Sequence, residues 1–83
     1  MRPSEALRRH REEIRDAIAR SRTRNPRIFG SVLRGDDADG SDLDLLVDAL
    51  PGTTLLDMAG LQLELEEIVG LPVDVLTRRQ VMR

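Results

Sequence analysis

Three aspartates and one glycine–serine pair are the residues whose types and spacing could do chemistry. Asp42 and Asp44 flank Leu43 in a stretch, Asp42 to Asp48, where Leu43, Leu45 and Val47 alternate with Asp42, Asp44, Leu46 and Asp48. Side chains alternate along a strand, so the two carboxylates project from one face, close enough to share a divalent cation. Like charges at that spacing repel, and a cation or a set of hydrogen-bond donors should sit against them. Asp74, in Val73-Asp74-Val75, alternates in the same way on a later strand and joins the same face if the two strands are neighbours. Hard oxygen ligands suit Mg²⁺, which keeps several waters and completes its octahedron with substrate phosphates. Upstream, Phe29-Gly30-Ser31 leaves a strand at a residue without a Cβ. Backbone amides can approach an anion closely there, and Ser31 adds a hydroxyl. Arg34 lies within reach of the same place and can pair with a phosphate oxygen.

The elements that must position these residues follow from pattern. Leu7, Ile14, Ala17 and Ile18 recur at helical spacing, which predicts one amphipathic helix over 4–22 with Ser4 as N-cap. Asn25-Pro26 ends it. Arg27-Ile28-Phe29 then reads as a short strand, Val32 opens one helical turn, and the Gly, Asp and Ser residues up to Ser41 read as a loop. After the Asp42–Asp48 strand, Pro51-Gly52 turns the chain. Thr54 caps a second helix with Asp57 three residues on, and Met58, Leu61, Leu65 and Ile68 form its buried stripe. Gly70 closes that helix at C′. Pro72 to Thr77 is the third strand, and Arg78 to Arg83 begins another helix. The expected fold is α/β (α+β), a small mixed sheet of about three strands flanked by helices, in a single domain over 1–83 with its core at 26–77.

Composition limits the function classes. A chain of 83 residues buries roughly 60% of the surface its unfolded form exposes, so the core is thin. Phe29 is the only aromatic residue, which leaves no base-stacking platform, and no direct nucleic-acid binding is expected. All 13 basic residues are Arg, nine of them between Arg2 and Arg27, whereas Asp36 to Asp48 holds six Asp and no basic residue. The Arg-rich helix is read as a solvated charged face. The absence of cysteine removes disulfides and thiolate metal sites and agrees with a reducing, cytoplasmic location. No apolar run reaches membrane-spanning length, so no membrane partner is expected.

Gly30-Ser31, ten residues, then Asp42-Leu43-Asp44 reproduces the G-S-x10-D-x-D signature of the DNA polymerase β-like nucleotidyltransferases, which this sequence resembles. More narrowly, GSVLRGDDADGSDLDLLVD with the later LPVDVLT resembles the minimal nucleotidyltransferase (MNT) domain, known as the antitoxin of HEPN/MNT toxin–antitoxin pairs. The resemblance runs from about Leu7 to Thr77, and members tend to continue past the third strand with another helix. It implies that Asp42, Asp44 and Asp74 bind two Mg²⁺ ions (or Mn²⁺) and carry catalysis, and that Gly30 and Ser31 hold the β/γ-phosphates of ATP. It also implies transfer of AMP to a hydroxyl, a tyrosine of a HEPN-type toxin. Homo- or hetero-oligomerisation stays open.

Rival readings make different demands on the same residues. Setting DDADGSDLD on an EF-hand template puts Gly35 at the first ligand position and Leu46 where the bidentate Glu belongs, so a Ca²⁺ loop does not fit. Asp42, Asp44 and Asp74 could instead be solvated acids blunting a sheet edge, but the glycine–serine turn at this spacing argues against that. Asp36, Asp37, Asp39 and Asp48 are read as solvating residues and His10 as a solvated histidine. Two other functions share the motif: a catalytically silent antitoxin that occludes its toxin, and an antibiotic-modifying nucleotidyltransferase, which normally needs a further acceptor-binding domain.

Overall fold

The computed structural model describes residues 1–81. Its order is α1 (Pro3–Arg9), α2 (Arg11–Arg20), β1 (Thr23–Phe29), α3 (Ser31–Arg34), β2 (Leu43–Ala49), α4 (Leu55–Val69), β3 (Val73–Thr77) and α5 (Arg78–Val81). The strands form one sheet in the order β1-β2-β3, antiparallel between β1 and β2 and parallel between β2 and β3. The parallel pair is bridged by α4, as a parallel connection requires. Leu43, Leu45 and Val47 of β2 and Val73 and Val75 of β3 are buried against Ile14, Ala17 and Ile18 of α2 and Leu61, Leu65 and Val69 of α4. Helices therefore cover one face of the sheet. Asp44, Leu46 and Asp48 alternate to the other, half-buried face.

The N-terminal segment departs from the expected single helix. His10, at φ −114° and ψ 22°, separates α1 from α2. Its Nδ1 lies 2.9 Å from Glu13 Oε1, so this half-buried ring has a partner and is not simply solvated. The apolar spacing runs through the junction in phase, which is why periodicity does not register it. The cap is also displaced: Arg2 occupies the N-cap and Pro3 the first helical position, where its missing N–H costs nothing. Helix α2 stops at Arg20, ahead of Asn25-Pro26, with Ser21 Oγ donating to the Ile18 carbonyl at 2.7 Å. Strand β1 consequently starts at Thr23 and contains Asn25-Pro26 as a bulge, with Asn25 at φ 54° and a register shift between Arg24 and Arg27. An edge strand tolerates proline at a bulge.

The remaining elements follow the pattern closely. Thr54 accepts from the Asp57 N–H at 3.2 Å, Asp57 accepts from the Thr54 N–H at 2.9 Å, and Gly70 closes α4 at φ 73°. In the predicted stripe Leu61 and Leu65 are buried, whereas Met58 and Ile68 are only partly so and Val69 joins the core. Helix α5 is described from Arg78 to Val81, and the rest of the predicted helix, Met82 and Arg83, lies outside the described residues. The outer edge of β3 is covered by side chains. The amides of Val73, Val75 and Thr77 donate to Glu66 Oε2 (3.0 Å), Gln62 Oε1 (3.3 Å) and Gln80 Oε1 (2.8 Å).

Candidate active site

Parallel pairing sets Asp44 directly beside Asp74, in register between Leu43↔Val73 and Leu45↔Val75. Neighbouring strands lie roughly 4.8 Å apart, so the two carboxylates share one face at close quarters. Asp42 precedes the strand and is exposed, Asp44 is half-buried and Asp74 is exposed. Across the antiparallel pair, Asp44 is matched with Phe29, and Gly30 follows at once. Gly30 has φ 72° and ψ −141°, a conformation that side chains rarely adopt, and a Cβ there would overlap Asp44 Oδ2. Glycine is thus required on two counts: for the exit from β1 and for room beside the carboxylate.

Gly30 is the N-cap of α3, a single turn whose Arg34 amide returns to the Gly30 carbonyl at 3.1 Å. The amides of its first residues, beginning with Ser31, stand at a helix start and point away from the turn, where an anion is favoured. Arg34 pairs with Asp36, with Nε 3.3 Å from Oδ2, and both side chains are exposed. Its charge still reaches Asp44. Asp36 therefore competes for Arg34, which the sequence pattern did not reveal.

Electrostatics single out Asp44. Burial, and after it the charges of Asp74 and Asp42, push its carboxyl above the usual carboxylate range, while Arg34 pulls it partway back. The sign for stability follows. A raised folded-state pKa gives a contribution fully present below the unfolded value and lost as pH rises through the raised one, so ionised Asp44 is held at a cost near neutrality. In chelator-treated protein, the Asp44 carboxyl carbon should titrate by NMR above the ordinary Asp midpoint of about 3.9. Asp74→Asn should lower that midpoint, and an unmoved midpoint would show that the two carboxylates do not interact.

Carboxylate oxygens and a repelled, partly buried Asp44 are the donor set and charge that a hard divalent cation satisfies. No group of three His, Asp or Glu side chains among the described residues stands ready around one point. The fit therefore rests on the Asp44–Asp74 pair, with Asp42 near enough for its charge to raise the Asp44 carboxyl. The other loop and strand acids lie at or near the surface, as their reading as solvating residues expects, and have partners there. Asp37 Oδ2 accepts the Ser4 amide at 2.9 Å, and that bond first of all holds its carboxyl below the usual range. Asp39 pairs with the terminal ammonium, and Asp48 with Asn25 (2.9 Å) and Arg27 (3.2 Å). These contacts tether the loop to α1 and the far end of β2 to β1.

Among the described residues no helix is long and apolar enough to cross a membrane. The sequence matches the nucleotidyltransferase domain family over residues 7–82. It is 46% identical over 54 residues to "Putative protein adenylyltransferase MJ0435" of Methanocaldococcus jannaschii, an alignment covering 65% of this chain and 58% of that protein. It is 36% identical over 69 residues to "Protein adenylyltransferase MntA" of Thermococcus cleftensis, covering 83% of this chain and 67% of that one. A solved structure described as a "putative minimal nucleotidyltransferase" superposes with a TM-score of 0.79 at 47% identity, covering 90% of this chain and 76% of the other. With the glycine–serine turn and the paired aspartates placed as described, the chain belongs to the nucleotidyltransferase domain family, as a member of its minimal type.

Proposed function

We propose that this domain transfers AMP from ATP to a hydroxyl of another protein, a tyrosine of a HEPN-type toxin, and so acts as the antitoxin of the pair. The observation that carries the reading is the in-register Asp44–Asp74 pair beside the Gly30-Ser31 turn. Relatives named protein adenylyltransferases support a protein as acceptor. Asp42 and Asp44 would hold two Mg²⁺ ions, with Asp74 also on the second. When bound, Mg²⁺ or Mn²⁺ supplies Lewis-acid stabilisation of the entering and leaving oxygens.

The chain's own residues do the rest. Gly30 and Ser31 receive the β/γ-phosphates on their amides and hydroxyl, and Arg34, released from Asp36, adds a charge-assisted bond. This holds the α-phosphorus in line with the incoming hydroxyl. A bond forms from that oxygen to the α-phosphorus, the bond to the bridging oxygen breaks, and pyrophosphate leaves. Asp74, exposed on β3, accepts the hydroxyl proton.

Two measurements test this. The chain, ATP and Mg²⁺ should leave one AMP on a tyrosine of a co-expressed HEPN-type partner by mass spectrometry, and an unmodified partner at full inhibition would favour occlusion by contact instead. Divalent cations should also raise the melting temperature. A cation at ten times its Kd adds about 1.4 kcal/mol to a native state that alone binds it, several degrees for a domain this small. The rise should vanish in Asp42→Asn/Asp44→Asn.

A further inference from the structure

Away from the aspartates, α1, α2 and β1 enclose a groove of about 410 Å³. Arg8, Arg11, Arg15 and Arg27 rim it, Ile14 and Ile28 belong to its apolar floor, and no Asp or Glu lines it. Spacings of three and four keep Arg8, Arg11 and Arg15 on one side of the helices across the His10 junction. Arg20, Arg22, Arg27 and Arg34 each have a carboxylate partner. Arg8, Arg11 and Arg15 have none among the described residues. These exposed cations stand around buried Ile14 and half-buried Ile28.

We propose that this groove docks an acidic segment of the acceptor protein, one that places apolar side chains on the floor and carboxylates against the arginines. The proposal rests on the reading that the acceptor is a protein. Charge complementarity names the occupant: a rim of three unpaired cations asks for an anionic ligand, and the apolar floor asks for side chains that a phosphate backbone lacks. Nucleic acid is disfavoured for a second reason. The only aromatic residue, Phe29, alternates to the opposite face of the sheet from Ile28, so the groove has no aromatic ring for a base to stack on. The position suits an acceptor. Ile28 lies one residue from Phe29, the Cα partner of Asp44, and the Ser4 amide holds Asp37 of the loop that leads into Asp42. The groove opens on the helix-covered face and Asp44 on the other. A segment held there anchors the acceptor, while a hydroxyl beyond that segment passes round the β1 edge to the carboxylates at raised effective concentration.

The test uses the full chain without ATP and a fluorescein-labelled helical peptide of Leu, Ala and Glu, read by fluorescence anisotropy. Wild type should bind it, and added salt should weaken the binding. Arg8→Gln/Arg11→Gln/Arg15→Gln, with unchanged circular dichroism, should weaken it on the order of tenfold or more. Arg11→Gln alone gives a smaller loss in the same direction should the triple variant not fold. Arg78→Gln/Arg79→Gln, outside the groove, should bind as wild type. Peptides with Gln for Glu or Ser for Leu should each bind more weakly. No binding, equal affinity for the uncharged or leucine-free peptide, or tighter arginine-dependent binding of a single-stranded RNA overturns the proposal. The two readings fail separately: AMP transfer without peptide binding removes the groove, and arginine-dependent peptide binding without AMP on any protein removes the reaction.

Discussion

Replacing Asp74 by asparagine is expected to leave folding, nucleotide binding and partner binding in place while slowing AMP transfer by about 10²–10⁴-fold. The expectation rests on position. Asp74 is exposed on β3 and lies across the strand pair from Asp44, two strands from the Gly30-Ser31 turn. Asparagine is nearly isosteric and removes one of the two charges that repel Asp44, so stability should hold or rise slightly. Single-turnover transfer of labelled AMP measures the rate, and thermal unfolding reports the fold. If the variant transfers AMP at the wild-type rate, Asp74 is not the proton acceptor. If it inhibits a partner fully while that partner carries no AMP, contact is the mode of inhibition and the proposed reaction is not its biological role.

Gly30→Ala should be nearly as damaging to activity, and destabilising as well. Even a methyl group at φ 72°, ψ −141° costs on the order of 1–3 kcal/mol of backbone strain, before it meets the Asp44 carboxylate. The clash falls on the Asp44 carboxylate, so admitting the methyl group turns that side chain out of its place in the candidate site. Urea unfolding should show the loss, and ATP affinity should fall with it as the turn and the carboxylate move apart. Gly60 supplies the contrast. It lies inside α4 with open space around its missing Cβ, so Gly60→Ala should stabilise by about 0.4–1 kcal/mol and leave activity unchanged. Equal effects at the two glycines would remove the special role given to Gly30.

What could be read in the sequence divides by the range of the cause. Elements governed by local chemistry came out well: the Thr54–Asp57 box, the Gly70 closure, and the alternation that buries Leu43, Leu45 and Val47. Each depends on residues within a few positions of one another. The pairing of Asp44 with Asp74 stood in the sequence only as a condition on strand order, which the parallel register meets. The His10 break was hidden because apolar residues on both sides keep one phase. The bulge at Asn25-Pro26 was hidden because proline reads as a terminator until its strand is known to be an edge. Contacts between distant charges were beyond pattern altogether. Asp37 with the Ser4 amide and Asp48 with Arg27 join residues far apart in the chain, and no spacing rule connects them.

The three side chains along the outer edge of β3 bear on how crowded the protein can safely become. A strand edge with free amides is a template for another copy's strand, and sheets that grow in this way end as fibrils. Glu66, Gln62 and Gln80 occupy the three outward amides of β3. An incoming strand must first displace a carboxylate and two amide groups. Colloidal stability at high concentration is therefore assigned to the strand that carries Asp74, and polar residues on the neighbouring helices, easily mistaken for ordinary surface, keep that strand from recruiting its own kind.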